Sequence, residues 1–131
     1  MGMTGKTALL VEDDDDVREA LQAVLEDQGF DVIPARTGKQ AIEYLLDQVE
    51  GPPEVVILDL LTPLITGWEV LDVIRKTNHL KNIPVVVITG MTRDLPPNMD
   101  VLVRKPVELD AFLKAVNDLV DRKVVYLPTP A

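Results

Sequence analysis

Cysteine is absent from the 131-residue chain. That excludes a disulfide framework, a thiolate metal site and a cysteine nucleophile. It also fits a reducing compartment. Histidine occurs once, at position 79, so imidazole metal cages and Ser-His-Asp machinery are strained readings. No apolar run reaches membrane-spanning length, and the opening MGMTGK has no signal-peptide core. The expectation is a cytoplasmic protein without membrane contact. Positive charge is in short supply: 13 basic residues against 22 acidic ones leave a net charge of −9. An acidic chain repels phosphate backbones, which argues against direct nucleic-acid binding.

Hydrophobic residues make up 47% and charged residues 27% of the chain. This is enough apolar material to bury a core without staples, at the size of one domain. Short apolar runs alternate with helix-period stretches. Thr7–Val11, Asp31–Ala35, Val55–Leu58, Val85–Thr89 and Val101–Arg104 are expected as strands, the third ending at Asp59. Asp15–Gln28 places Val17, Ala20, Leu21, Val24 and Leu25 on one helical face, and Gly29 stops it. Thr37 opens T-G-K-Q, a capping-box pattern, before a helix carrying Ala41, Ile42, Leu45, Leu46 and Val49. A third helix is expected over Trp68–Lys76. A last one covers Glu108–Asp121, with Leu109, Phe112, Leu113, Val116 and Val120 inward. Near-continuous β-branched strands between helices predict an α/β fold, a parallel sheet covered on both faces. Residues 1–6 read as a disordered N-terminus, 7–121 as the domain, and 122–131 as an extension or the stub of a linker.

Open α/β sheets bind ligands beyond the carboxyl ends of their strands, at the topological switch point. Strand one runs out into Glu12-Asp13 and strand three ends at Asp59. In a 2-1-3-4-5 order these strands are neighbours, so three carboxylates converge. Such a cluster is costly unless a cation neutralises it. Hard oxygen ligands without thiolate or imidazole suit Mg²⁺. Strand four ends in Thr89-Gly90, a hydroxyl beside an approachable amide, and strand five leads into Lys105-Pro106. A carboxylate nucleophile, a metal, a hydroxyl and a lysine together describe phosphoryl transfer through an acyl phosphate.

The segments LLVEDD, VVILDLLTP…G, VVVITG and VRKP, in this order and spacing, resemble the response-regulator receiver domain of two-component signalling. The resemblance covers about residues 7–121. It implies a flavodoxin-like, doubly wound five-stranded sheet of order 2-1-3-4-5. It implies that Asp59 is the phosphoacceptor, Thr89 the switch hydroxyl and Lys105 the phosphate-pairing lysine. It further implies that Asp13, Glu12, Asp59 and the backbone carbonyl of Leu61 hold Mg²⁺, with Glu12 acting through water. A cis-proline commonly follows the lysine, here Pro106.

Blander roles are assigned elsewhere. Asp14, Asp15 and Asp16 read as a solvated face favoured at a helix N-terminus. His79, in the polar stretch KTNHLKN, reads as surface, and Trp68 as packing. Gly5-Lys6-Thr7 imitates the end of a P-loop, but it lacks the preceding glycine at the right distance and stands before the first strand.

Several features depart from the family pattern. Thr62 precedes Pro63 where the family usually carries a methionine before its proline. The stretch from Thr89 to Lys105 is about six residues shorter than usual and contains Pro96-Pro97. A full fourth helix does not fit there, so it is expected to be one turn or a loop. Leu102 stands where the family carries its switch aromatic. In addition, the resemblance implies that Leu61 and Met91, two residues beyond Asp59 and Thr89, flank the path of attacking water. Both are apolar, which predicts slow loss of the phosphoryl group.

The reading is therefore a phosphoacceptor signalling domain rather than an enzyme. Its expected donor is a sensor histidine kinase or a histidine phosphotransfer protein, and its expected output a downstream protein target. One alternative is a receiver-like interaction module that works without phosphorylation. A Mg²⁺-dependent phosphohydrolase is a further one, weakened because Leu61 occupies the place of its second acid. The sequence leaves open a stand-alone receiver or one piece of a longer protein.

Overall fold

Strand and helix alternate as far as β4 in this computed structural model, which describes residues 6–47, 51–62 and 64–121. The elements are β1 (Thr7–Val11), α1 (Asp15–Asp27), β2 (Asp31–Ala35), α2 (Gly38–Leu46), β3 (Val55–Asp59), α3 (Gly67–Lys76), β4 (Val85–Thr89), β5 (Val101–Arg104) and α4 (Leu109–Asp121). The sheet is parallel throughout, with strand order β2-β1-β3-β4-β5. This is the expected doubly wound α/β fold. Residues 1–5, Val49, Pro63 and the 122–131 segment lie outside the described residues. Among the described residues, no helix is long and apolar enough to cross a membrane.

Alternation along the strands splits the core in two. Leu9, Val11, Val56, Leu58, Val85 and Val87 face α2 and α3. Ala8, Leu10, Val55, Ile57, Val86 and Ile88 face α1 and α4. Every residue of β3 and β4 is buried, which explains why those strands read as unbroken apolar runs. Pro34 is tolerated because β2 is an edge strand.

Several inward faces differ from expectation by one position. In α4 the buried residues are Phe112, Val116, Leu119 and Val120, while Leu109 at the helix start is 38% exposed. Ala20 is exposed on α1, where Arg18 takes the third inward place beside Leu21 and Leu25. Leu46 is half exposed at the end of α2.

The capping box also moves. Thr37 Oγ1 accepts the Gln40 N–H at 3.1 Å, but Gln40 Oε1 takes the Arg36 N–H at 2.7 Å rather than that of Thr37. The reciprocal pair forms instead at α3, where Thr66 and Glu69 cap one another.

No helix forms between β4 and β5. Residues 90–100 are a loop with a left-handed turn at Asp94 (φ 60°). Pro96 is buried, and Arg75 of α3 fastens the loop's end. Its Nε donates to the Asn98 carbonyl at 2.9 Å, and its Nη2 meets Asp100 Oδ2 at 2.9 Å. Its Nη1 donates to the carbonyls of Lys81 and Ile83 at 2.9 and 2.8 Å. A cleft of about 590 Å³ remains between this loop, α2 and α3, with Trp68, Ile42 and Pro97 on its walls.

Candidate functional site

Parallel strands deliver their C-terminal ends to one edge of the sheet, and the four site segments lie there. Glu12-Asp13 follows β1, Asp59 closes β3, Thr89 closes β4 and Lys105 follows β5. β1 and β3 are adjacent although α1, β2 and α2 separate them in the chain, so the three acids meet. Carboxylate oxygens of Glu12, Asp13 and Asp59 lie within 4.8 Å of one another. Glu12 and Asp59 are buried, whereas Asp13 is exposed at the mouth.

Each buried acid has its own support. Asp59 Oδ1 accepts the Leu61 N–H at 3.1 Å, and its Oδ2 meets Lys105 Nζ at 3.1 Å. Glu12 Oε2 accepts the Asp14 N–H at 3.1 Å. Its Oε1 is buried without a hydrogen bond, with Lys105 Nζ 3.3 Å away as a counter-charge. Burial raises the Glu12 carboxyl to about 7; the Asp14 amide opposes this and the Asp59 charge adds to it. Burial alone would lower the Lys105 ammonium, but the two carboxylates together hold it above the ordinary lysine value. The Glu12 shift reflects burial first and the Asp59 charge second, while the Lys105 shift reflects the two acids it serves; one lysine faces two buried acids.

That condition is the test of fit for a metal. Three converging carboxylates, one with a buried oxygen that accepts no hydrogen bond and none accompanied by imidazole or sulfur ligands, fit a small hard dication such as Mg²⁺.

Thr89 is 1% exposed. Its Oγ1 accepts the Met91 N–H at 3.0 Å, and its carbonyl accepts the Lys105 N–H at 3.0 Å. Arg104 donates through Nη1 to the Met91 carbonyl. Leu102 is half-buried against the core on the α2–α3 side. The side chain of Leu61 is 60% exposed beside the site. The Lys105-Pro106 peptide is cis. His79 is exposed and Trp68 packs against the core, as their sequence settings suggest.

The acidic run has more structure than a solvated face. Asp14 caps α1 by accepting the Val17 N–H at 3.0 Å. Asp15 pairs with Arg18 at 2.5 Å and with Arg36 at 3.6 Å. Its carboxyl is held below the usual range, chiefly by the Arg18 hydrogen bond.

Sequence reasoning passed over two contributors. Arg18 stands on the apolar stripe of α1 with Leu21 and Leu25, and a charge on that stripe was the available signal. Gly67 opens α3 against the acceptor loop. A Cβ there would stand 2.6 Å from Leu60 Cα and 2.7 Å from the Asp59 carbonyl oxygen. Its signal was a glycine between a capping threonine and a helix.

The chain matches the family model described as "Response regulator receiver domain" over residues 8–117. It is 37% identical over 117 residues to "Transcriptional regulatory protein AfsQ1" of Streptomyces coelicolor, covering 82% of this chain and 49% of that one. It is 34% identical over 122 residues to "Response regulator Rre1" of Synechocystis sp., covering 88% and 52%. The chain thus spans about half the length of the curated relatives it matches. Among solved structures, a putative response regulator from Chloroflexus aurantiacus superposes with a TM-score of 0.80 at 26% identity, covering 89% of this chain and 98% of that one. The carboxylate cluster at the switch point, the 2-1-3-4-5 sheet and these matches agree: the chain belongs to the response regulator receiver domain family, the phosphoacceptor signalling domains of two-component systems.

Proposed function

We propose that Asp59 is the residue that accepts the phosphoryl group, with Thr89 and Lys105 as its partners. A further part of the proposal is that Glu12, Asp13, Asp59 and the Leu61 carbonyl hold Mg²⁺. The observation that carries this reading is the convergence of three carboxylates within 4.8 Å, with Lys105 Nζ 3.1 Å from Asp59. When bound, the dication would offset negative charge on the transferring phosphoryl oxygens and on the acids themselves.

The remaining work belongs to the chain. An Asp59 oxygen attacks the phosphorus of a phosphohistidine, the P–N bond breaks, and the leaving imidazole nitrogen takes up a proton. Lys105 passes from Asp59 to a phosphoryl oxygen. Thr89 Oγ1 gives up the Met91 amide and turns to donate its proton to another phosphoryl oxygen. Water reverses the state by attacking the acyl phosphate.

The proposed donor is a sensor histidine kinase or a histidine phosphotransfer protein in the cytoplasm, and the proposed output is contact with a protein target. Residues 7–121 are proposed as the signalling unit and 122–131 as an extension from it. The domain is proposed to act as an acceptor rather than as an enzyme turning over small esters. Leu61, two residues beyond Asp59, has no proton to give a leaving group.

The test is intact-mass measurement after incubation with acetyl phosphate and Mg²⁺. One phosphoryl adduct is expected in the wild type, and none in Asp59→Asn or in the presence of EDTA. No adduct from any phosphodonor would overturn the reading in favour of phosphorylation-independent signalling. Steady turnover of phosphate esters would favour a hydrolase.

A further inference from the structure

A buried guanidinium is costly unless its donors are matched, yet Arg18 is only 5% exposed on α1. Its bonds avoid the carboxylates of the cluster. Nη1 donates to the backbone carbonyl of Glu12 at 3.0 Å, and Nη2 donates to Asp15 Oδ1 at 2.5 Å. The side chain therefore spans the turn between the residue after β1 and the first residue of α1, and Asp13 lies between the two anchored points. Among the other ties of this turn, one reaches β2 and two are local. The Glu12 N–H donates to the Ala35 carbonyl at 3.0 Å, Asp14 N–H to Glu12 Oε2 at 3.1 Å, and Val17 N–H to Asp14 Oδ1 at 3.0 Å.

We infer that Arg18 is a positioning residue for the divalent-cation site, an inference that rests on the Mg²⁺ reading above. By holding the Glu12 carbonyl from behind, it keeps the carboxylates of Glu12 and Asp13 directed together toward Asp59. Lys105 does not substitute for it, because Lys105 contacts the carboxylates themselves and Arg18 contacts the backbone that aims them.

Two effects of Arg18 oppose one another, and the sign of the result separates them. As a positive charge near a dication it repels the metal, so deletion would tighten binding. As the anchor of two ligands it supports binding, so deletion would weaken it. Loss of a group that orients metal ligands typically costs about 10–100-fold in metal affinity. Repulsion is smaller here because the guanidinium is already paired with Asp15, which Arg36 also approaches at 3.6 Å.

The experiment is calorimetric Mg²⁺ titration of the wild type, Arg18→Met, Arg18→Lys and Asp15→Asn, with Asp13→Asn as the ligand-loss reference. Thermal unfolding in EDTA is recorded for each. Arg18→Met is expected to weaken Mg²⁺ binding by about tenfold, Arg18→Lys by less, and Asp15→Asn by about two- to threefold through the released Nη2. A role in packing alone would lower the EDTA melting temperature and leave the Kd unchanged. An unchanged or tighter Kd in Arg18→Met overturns the inference while the metal reading stands. If Arg18→Met does not fold, an unchanged Kd in both Arg18→Lys and Asp15→Asn overturns it equally. A wild type that binds no Mg²⁺ overturns the metal reading and the inference together.

Discussion

Lys105 and Asp59, 46 residues apart in sequence, meet at 3.1 Å between Nζ and Oδ2. The same ammonium lies 3.3 Å from Glu12 Oε1. One lysine from the β5 end thus serves two buried acids from the β1 and β3 ends. It neutralises half of their charge, and the remainder is what a dication would take up.

The burial of Glu12 has a pH signature. Glu12 is raised from 4.5 to about 7, first by burial. In that interval the folded state binds a proton that the unfolded state has lost. This group's effect is therefore absent below pH 4.5 and becomes a growing destabilisation of the metal-free fold as pH rises to about 7. Glu12→Gln cannot ionise and escapes the penalty. Its stability advantage in EDTA should grow from near zero at pH 4.5 to about 2–3 kcal/mol at pH 7.5. Urea unfolding at several pH values measures this, and parallel stability curves would contradict it.

Gly67 is predicted to be intolerant of any side chain. Its Cβ position is filled by Leu60 Cα and the Asp59 carbonyl, both backbone atoms that yield only with the acceptor loop. Gly67→Ala should cost about 1–3 kcal/mol and slow acetyl-phosphate labelling of Asp59. Labelling at the wild-type rate in a destabilised variant would show that the displacement does not reach the site.

Arg75 replaces the missing helix as the fastening of residues 90–100. Arg75→Ala removes four hydrogen bonds, including the bond to the Ile83 carbonyl, which is half-buried. It also frees Asp100, whose Oδ2 accepts the Val85 N–H at 2.7 Å. The expected loss is about 2–3 kcal/mol, with faster amide exchange at Val85. Unaltered exchange there would mean that the loop holds its place without the clamp.

Leu61 and Met91 are predicted to prolong the acyl phosphate. Leu61 is 60% exposed beside the acceptor, and Met91 is half-buried next to Thr89. Neither side chain can orient water. Leu61→Asn combined with Met91→Glu should speed loss of the phosphoryl group by about tenfold. Decay of the adduct, followed by mass, gives the rate; equal decay in wild type and variant would refute the idea.

Much of this molecule is readable from local pattern. The central strands β3 and β4 stand out because burial on both faces demands unbroken apolar runs. The lack of a fourth helix is readable because Pro96 and Pro97 occupy a segment already too short for one. The acids of the site are readable because they sit at strand ends. Arg18 was harder to place. A charged residue on an apolar stripe signals something buried, but its partners are a backbone carbonyl and an acid whose positions depend on the turn. The capping box misled for a related reason: Thr37-Gln40 and Thr66-Glu69 share one pattern, and only at Glu69 does the side chain return to its own cap.

The sequence by itself determined which segments are strands, which residues end them, and that the acids outnumber their cations. Periodicity and residue chemistry act over a few neighbours and need no knowledge of the rest of the chain. Only the tertiary structure decided that one lysine is shared by Glu12 and Asp59, that Gly67 is pressed against the acceptor loop, and that Arg18 reaches behind Glu12. The Lys105 contacts join segments far apart in the chain, whereas the Arg18 and Gly67 contacts span six to eight residues and depend on how a strand end turns into the following helix. Side-by-side pairing of β1 with β3 brings Glu12 and Asp59 together, and packing of α1 and α3 on opposite faces of the sheet sets the two turns.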